Sequence, residues 1–192
     1  MRSLALLRKL ERLEIRVLEL SRELANFMKT NLHELKILKL NRCKKFSSGS
    51  ISSICELEKL EELDLSNCKI TDSDLNLSEL ISKLPKLQVL NISELDELDG
   101  WGLGGLSNLR KLYCAFCGDL KDDGLMSLLR CADKLELLDI RCCYKLTNSL
   151  IDVAVEVTKN RTNNVILEIH TNFMKINLDK IKGNSPFLRL IN

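Results

Sequence analysis

Aromatic residues are scarce in this 192-residue chain, with one Trp, two Tyr and five Phe making up 4% of it. A core assembled around a few large rings is thereby excluded, and the 41 leucines must supply it as stacked aliphatic side chains. Charge of one sign is also missing: 29 basic residues stand against 27 acidic ones, interspersed along the chain, for a formal charge of +2. That balance leaves no electrostatic footprint for nucleic acid or an anionic membrane. No run approaches the roughly 20 apolar residues of a membrane span, and Arg8 and Lys9 interrupt the apolar run Leu4–Leu7 before it reaches the length of a signal-peptide core. Without a secretory signal, the eight cysteines are expected as reduced thiols in a cytoplasmic or nuclear protein.

What the chain does have is a repeat. The pattern L-x-x-L-x-L/I/C recurs at Leu10-Leu13-Ile15, Leu35-Leu38-Leu40, Leu60-Leu63-Leu65, Leu87-Leu90-Ile92, Leu109-Leu112-Cys114 and Leu135-Leu138-Ile140, with first leucines stepping by 25, 25, 27, 22 and 26 residues. Those steps fall in the roughly 20 to 29 residues of a leucine-rich repeat, whose short strands line one sheet and whose return segments cover the other side. A seventh, weaker unit places Asn164 at the first-leucine position, with Leu167 and Ile169 facing inward, and Leu188 and Leu190 begin an eighth strand. The expected fold is α/β: a right-handed solenoid of about six to eight repeats, with a concave parallel sheet and convex helices, in one domain over 1–192. Within it 1–28 form an N-terminal repeat and 164–192 degenerate C-terminal ones.

Between strands the periodicity turns helical. Thr71 or Asp72 is expected to cap a helix around Leu75–Leu84 that Pro85 stops, Asp122 or Asp123 the segment Leu125–Cys131, and Asn148 the segment Leu150–Thr158. The stretch GWGLGG, from Gly100 to Gly105, holds too many glycines for a stable helix and predicts a tight turn with a short helical piece. In the first 28 residues, Leu6, Leu10, Leu13, Val17, Leu20 and Leu24 also fit a heptad stripe. The step of 25 from Leu10 to Leu35 favours a strand at Leu13–Arg16 and a helix near Ser21–Met28.

Cys43, Cys68, Cys117 and Cys143 each lie eight residues after the first leucine of their units, and KITD at Lys69–Asp72 and KLTN at Lys145–Asn148 follow two of them. With Cys131 in LLRCADKLELLDI, this pattern resembles the cysteine-containing leucine-rich repeats of F-box/LRR proteins, over about Leu10 to Ile169. Leu95 departs from it by replacing the ladder cysteine of the fourth unit. The resemblance implies a substrate-receptor arm of a Skp/cullin/F-box ubiquitin ligase. No F-box is recognisable ahead of the first repeat, so the Skp/cullin machinery is expected as a partner only if an F-box is supplied elsewhere. The alternative is a stand-alone scaffold or inhibitor unrelated to ubiquitination.

The cysteines invite chemistry but read as packing. CAFC, Cys114–Cys117, has the C-x-x-C spacing of a zinc or redox site. Its thiols occupy inward rungs, where cysteine acts as a small buried hydrophobe, and no second ligand pair has finger-like spacing. No metal or cofactor is therefore expected. Asp96, Glu97, Asp99, Asp122 and Asp123 lack the alternation of a calcium loop, and His33 needs no role. Cys142, read as facing outward beside His170 on the next strand, allows one remote enzyme alternative, a Cys/His hydrolase. With no oxyanion donor or strained elbow beside it, the chain is read as no enzyme.

Function then falls to the residues between the inward positions. The mid-strand column reads Glu14, Lys39, Asp64, Asn91, Tyr113, Asp139 and Glu168; the next outward columns end in Arg141 and His170 and in Cys142 and Thr171. Binding hot spots favour aromatics beside arginines, because rigid area comes with little entropy loss and guanidinium forks pair with carboxylates. The predicted protein-contact patch is Arg110, Tyr113, Phe116, Asp139 and Arg141, with Asp64 and Asn91 at its rim.

Overall fold

The computed structural model describes residues 7–16, 19–44, 47–69, 81, 83–95, 100, 102–172 and 185–191. Each L-x-x-L-x-L unit yields a strand of three or four residues centred on its second leucine: β1 (Arg12–Glu14), β2 (Ile37–Lys39), β3 (Glu62–Asp64), β4 (Val89–Asn91), β5 (Lys111–Tyr113), β6 (Leu137–Asp139), β7 (Leu167–His170) and β8 (Leu188–Ile191). They form one eight-stranded sheet in chain order, every pair parallel. Strand length follows from the pattern, since only the central residue of each triplet points inward while its neighbours face out. The third inward residue then leaves the ladder and turns toward the helices.

The core is a stack of the same positions. Leu38, Leu63, Leu90, Leu112 and Leu138 lie in register and are buried, as are Leu35, Leu60, Leu87, Leu109 and Leu135 one turn earlier. At roughly 2 kcal/mol per fully buried leucine the stack stabilises the sheet only because each repeat covers its neighbour.

Helices α1 (Arg22–Asn31), α2 (Ser48–Ile54), α3 (Asp122–Cys131) and α4 (Asn148–Lys159) return the chain behind the sheet, with a 3-10 turn at Leu103–Gly105 in the glycine-rich repeat. Ser21 Oγ accepts from Leu24 N at 3.2 Å to open α1, as the step of 25 from Leu10 requires. The predicted helix around Leu75–Leu84 lies largely outside the described residues.

Three expectations need correction. α3 is entered through Lys121 with no side-chain cap, because Asp122 turns to the next repeat and accepts from Thr147 N at 2.9 Å and from its hydroxyl. α4 is capped by Thr147, one residue before Asn148, whose Oγ1 accepts from Ser149 N at 3.2 Å. The seventh repeat is shifted by two: Asp139 pairs with His170, not Glu168, and Leu138 with Ile169. Asn164 is a turn residue in the left-handed region (φ 58°), beside Asn163, whose Oδ1 accepts from Val165 N. The first apolar position therefore passes to Ile166, and the third inward position to Thr171, which is 1% exposed.

The cysteine ladder has a bonding role as well as a packing one. Cys68 Sγ donates to Leu40 O at 2.9 Å, Cys117 Sγ to Ile92 O at 3.2 Å, Cys143 Sγ to Cys114 O at 3.0 Å, and Cys43 Sγ reaches Ile15 O at 3.9 Å. Each thiol covers the carbonyl of the third inward residue in the preceding repeat, a carbonyl at the point where the chain leaves the ladder. Leu95 fills the rung without a donor. Burial pushes the Cys143 thiol up to about 11 and Cys114 well above the ordinary thiol range, and a hydrogen bond with Cys43 together with burial raises Cys68. These groups stay protonated, as donors must.

Candidate protein-binding surface

The outward residues of the sheet divide into a self-neutralised half and an aromatic half. On the early strands Lys39 on β2 pairs with Glu62 on β3 at 2.6 Å, and Arg16 and Arg12 both reach Glu14. Exposed pairs of this kind add little to stability, since water screens them, and they cancel the local field. Later in the sheet the mid-strand row, corrected for the seventh repeat, reads Asp64, Asn91, Tyr113, Asp139, His170.

Three members of that row are turn-formers. Asp64 Oδ1 accepts from Ser66 N at 2.9 Å, Asn91 Oδ1 from Ser93 N at 3.1 Å, and Asp139 Oδ1 from Arg141 N at 3.2 Å. A short side-chain carbonyl two residues before an N–H makes this turn at the end of a strand. Asp64 and Asn91 remain partly open on the surface. Asp139 is only 4% exposed, so Arg141 is the member of that pair which meets solvent.

Asp139 and Arg141 form a fork, with Nε to Oδ1 at 2.9 Å and Nη2 to Oδ2 at 2.6 Å. Burial pushes the Asp139 carboxyl up, but the hydrogen bonds and charge of Arg141, with the backbone N–H and nearby His170, more than offset it and hold the carboxyl below its ordinary value. A group so depressed contributes stability above its unfolded pKa, about 4, and the contribution is lost as pH falls toward the folded value. Arg141→Ala is expected to raise the Asp139 titration in NMR, because burial is then opposed only by the backbone N–H of residue 141 and by His170. The variant is expected to be destabilised at pH 7, with the difference shrinking as the pH falls and vanishing only below the lowered wild-type value of Asp139, where the carboxyl is neutral in both proteins. An unchanged Asp139 titration in the variant would show that the fork does not set it.

Phe116 lies three residues after Tyr113 of this row and is 58% exposed. It occupies a column that takes the left-handed region in five successive repeats: Arg42, Asn67, Glu94, Phe116 and Cys142, with φ between 55° and 61°. Their N–H groups extend the ladder past the strands, Arg42 to Ser66 O, Asn67 to Ser93 O, Glu94 to Ala115 O and Phe116 to Arg141 O, all at 2.8–2.9 Å. The conformation is thus demanded by the repeat, and asparagine meets it at least cost. A phenylalanine there, turned to water, takes this conformation without adding to the core.

Tyr144 is the aromatic that sequence reasoning missed. It is 71% exposed, directly after the ladder cysteine of the sixth repeat, and its hydroxyl bonds Cys142. Its signal in the sequence was an aromatic placed where the second and third repeats carry Lys44 and Lys69. Tyr113 is half-buried in the row between Asn91 and Asp139. Arg110 sits apart at the start of β5, where its guanidinium is paired with Glu136 of the next repeat. Tyr113, Phe116, Arg141 and Tyr144 therefore lie at or just beyond the C-terminal ends of β5 and β6, while Arg110 precedes β5 at the opposite edge.

Cys142 is not outward as expected. It is 6% exposed, its N–H donates to Asn172 Oδ1 at 3.0 Å, and its thiol lies 3.6–3.7 Å from the Asn172 amide. The two-residue shift of the seventh repeat is the reason, since it sets Asn172, not His170, in line with Arg141. The thiols of CAFC diverge: Cys114 Sγ donates forward to Asp139 O at 3.2 Å while Cys117 Sγ donates back to Ile92 O. Among the described residues no group of three or more His, Cys, Asp or Glu is placed to hold a metal ion, and no helix is long and apolar enough to cross a membrane.

No curated protein matches the sequence. Solved structures with similar backbones include an internalin, InlF, from Listeria monocytogenes (15% identity over 93% of this chain and 39% of that one, TM-score 0.43). A chain of the Rad7 and Elc1 complex in yeast is similar over 88% of this chain and 52% of its own (18% identity, TM-score 0.47), and a chain of the mouse RP105/MD-1 complex over 86% and 31% (22% identity, TM-score 0.49). This chain spans between 31% and 52% of their lengths. The family model of Zer-1-like leucine-rich repeats matches residues 1–102, from the N-terminal repeat through the fourth. The repeats are a protein-binding module, and the chain belongs to the Zer-1-like leucine-rich-repeat family.

Proposed function

We propose that this chain is the substrate-recognition arm of a ubiquitin-ligase receptor, holding a protein substrate against Tyr113, Phe116, Arg141 and Tyr144. The observation that carries the ligase part is membership of the Zer-1-like family, a family of Cul2 substrate receptors. The resemblance of the cysteine-containing repeats to F-box/LRR proteins points to the same task through a different adaptor. The contact part is supported by exposed aromatics beside a guanidinium, with charges on the early strands paired with one another. Asp64 and Asn91 form the rim, and Asp139 acts through Arg141.

The test is affinity purification of the chain from cells that express it, with mass spectrometry of what comes along. A ligase receptor is expected to bring down a cullin or its adaptor together with substrate proteins, and Tyr113→Ala with Arg141→Ala is expected to lose the substrates and keep the adaptor. Substrates recovered unchanged with the double variant would remove the proposed surface. Protein partners recovered with no cullin or adaptor would favour the stand-alone scaffold.

A further inference from the structure

The edge of the sheet where the strands begin carries a different set of groups. A cleft of about 470 Å³ crosses the third to seventh repeats there, with Glu61, Lys86, Asn108, Arg110, Lys134 and Glu136 in its lining. Two rows of the repeat build it. One is the residue before each first leucine, Glu34, Lys59, Lys86, Asn108 and Lys134; the other is the residue after it, Lys36, Glu61, Gln88, Arg110 and Glu136.

In the early repeats these rows neutralise themselves. Glu11 pairs with Lys36 at 3.0 Å and Glu34 with Lys59 at 2.6 Å, each across one repeat boundary. Further along, Glu136 is taken by Arg110, while Glu61 lines the cleft without an ion pair among the described residues. Asp133, next to Lys134 in sequence, faces Arg161 on the other side of the loop. Lys86 and Lys134 are exposed, and among the described residues neither makes an ion pair. Between them Asn108 Nδ2 is held by Pro85 O at 3.0 Å, which fixes the floor of the cleft.

We infer that this cleft docks an extended acidic peptide segment of a partner protein, its carboxylates on Lys86 and Lys134. Two repeats separate the lysines, roughly 10 Å at the spacing of neighbouring strands. An extended peptide returns the same face every ~7 Å, so glutamates two to four residues apart bring carboxylates within reach of both flexible ammonium groups. The partner's acidic residues complete a pairing pattern that the chain itself completes in the second and third repeats. The site is separate from the aromatic surface of the proposed function, which lies at the far end of the strands.

The experiment is fluorescence anisotropy of a labelled hexaglutamate peptide with the full chain at low salt, beside a hexalysine peptide and a single-stranded oligonucleotide of matched charge. Saturable binding of hexaglutamate is expected, weakened by salt, reduced at least tenfold in Lys86→Glu/Lys134→Glu and retained in Lys86→Arg/Lys134→Arg. Tyr113→Ala/Arg141→Ala is expected to leave it unchanged, which separates this site from the substrate surface. The proposal is overturned if hexaglutamate shows no saturable binding, if charge reversal leaves affinity unaltered, if the aromatic-surface variant loses it equally, or if the oligonucleotide binds more tightly and is lost on the same reversal. Matching thermal melts of the wild type and both lysine variants confirm that the comparison is between folded proteins.

Discussion

Gly124→Ala is expected to lower the melting temperature by about 6–12 °C, equivalent to about 3 kcal/mol for a chain of this size. Local propensity predicts the opposite sign, because alanine is the better helix former by about 1 kcal/mol. Gly124 lies in the first turn of α3, where that helix meets the glycine-rich repeat before it. A Cβ added there would stand 2.1 Å from Gly100 O, 2.4 Å from Gly100 C and 2.9 Å from its Cα. The obstacle is backbone, so no rotamer change relieves it. Gly100 is itself at φ 89°, with Leu120 Cδ1 2.7 Å from where its own Cβ would be, and has no room to retreat. A thermal or urea melt that shows Gly124→Ala as stable as the wild type, or more so, would mean that the two repeats can separate without loss.

The second large effect is expected from Arg161→Met, which should destabilise the fold by about 3 kcal/mol in urea denaturation. Arg161 is 9% exposed, and its guanidinium is surrounded by carbonyls: Leu135 O at 2.9 Å, Val165 O at 3.0 Å and Ala132 O at 3.5 Å. Ala132 closes α3, so the cation also meets the negative end of that helix. Burial lowers the Arg161 pKa, while Asp133 acts to raise it. Methionine preserves the apolar stem and volume but strands the Leu135 and Val165 carbonyls, both well inside hydrogen-bonding distance, while Ala132 O keeps Leu135 N–H at 3.1 Å. Arg161→Lys is expected to recover part of the loss, since one ammonium satisfies some of the carbonyls but not the planar fork. Equal stability of the methionine variant and the wild type would show that water can replace the guanidinium there.

Both effects arise at joints between repeats, and this is also where reading from the sequence stopped. The inward leucines and cysteines were legible from spacing within about ten residues, and the strand positions and the helix at Ser21 from the repeat step of about 25. The seventh register was not, since NNVILEIH offers aliphatics to the core in either of two alignments. Choosing between them required the left-handed turn at Asn164 and the guanidinium of Arg161 that braces it. Asp122 looked like a helix cap because its nearest competitor, Thr147, is 25 residues away in sequence and adjacent only once the repeats stack.

The candidate surface divides the same way. Tyr113, Phe116 and Arg141 stand out as aromatic and cationic positions in a repeat otherwise made of leucine, and alternation alone places them on the outer face. That Asp139 is buried under Arg141, that Arg110 is spent on Glu136, and that Tyr144 adds to the exposed aromatics are matters of side-chain pairing across repeats. The pattern of leucines and cysteines determined by itself that this chain forms a leucine-rich-repeat solenoid, because periodic burial leaves no other way to cover so many aliphatic side chains. Tertiary structure decided which outward groups remain available, because a charge or polar atom is spent only where stacking brings a partner within about 3 Å, and sequence distance says nothing about that.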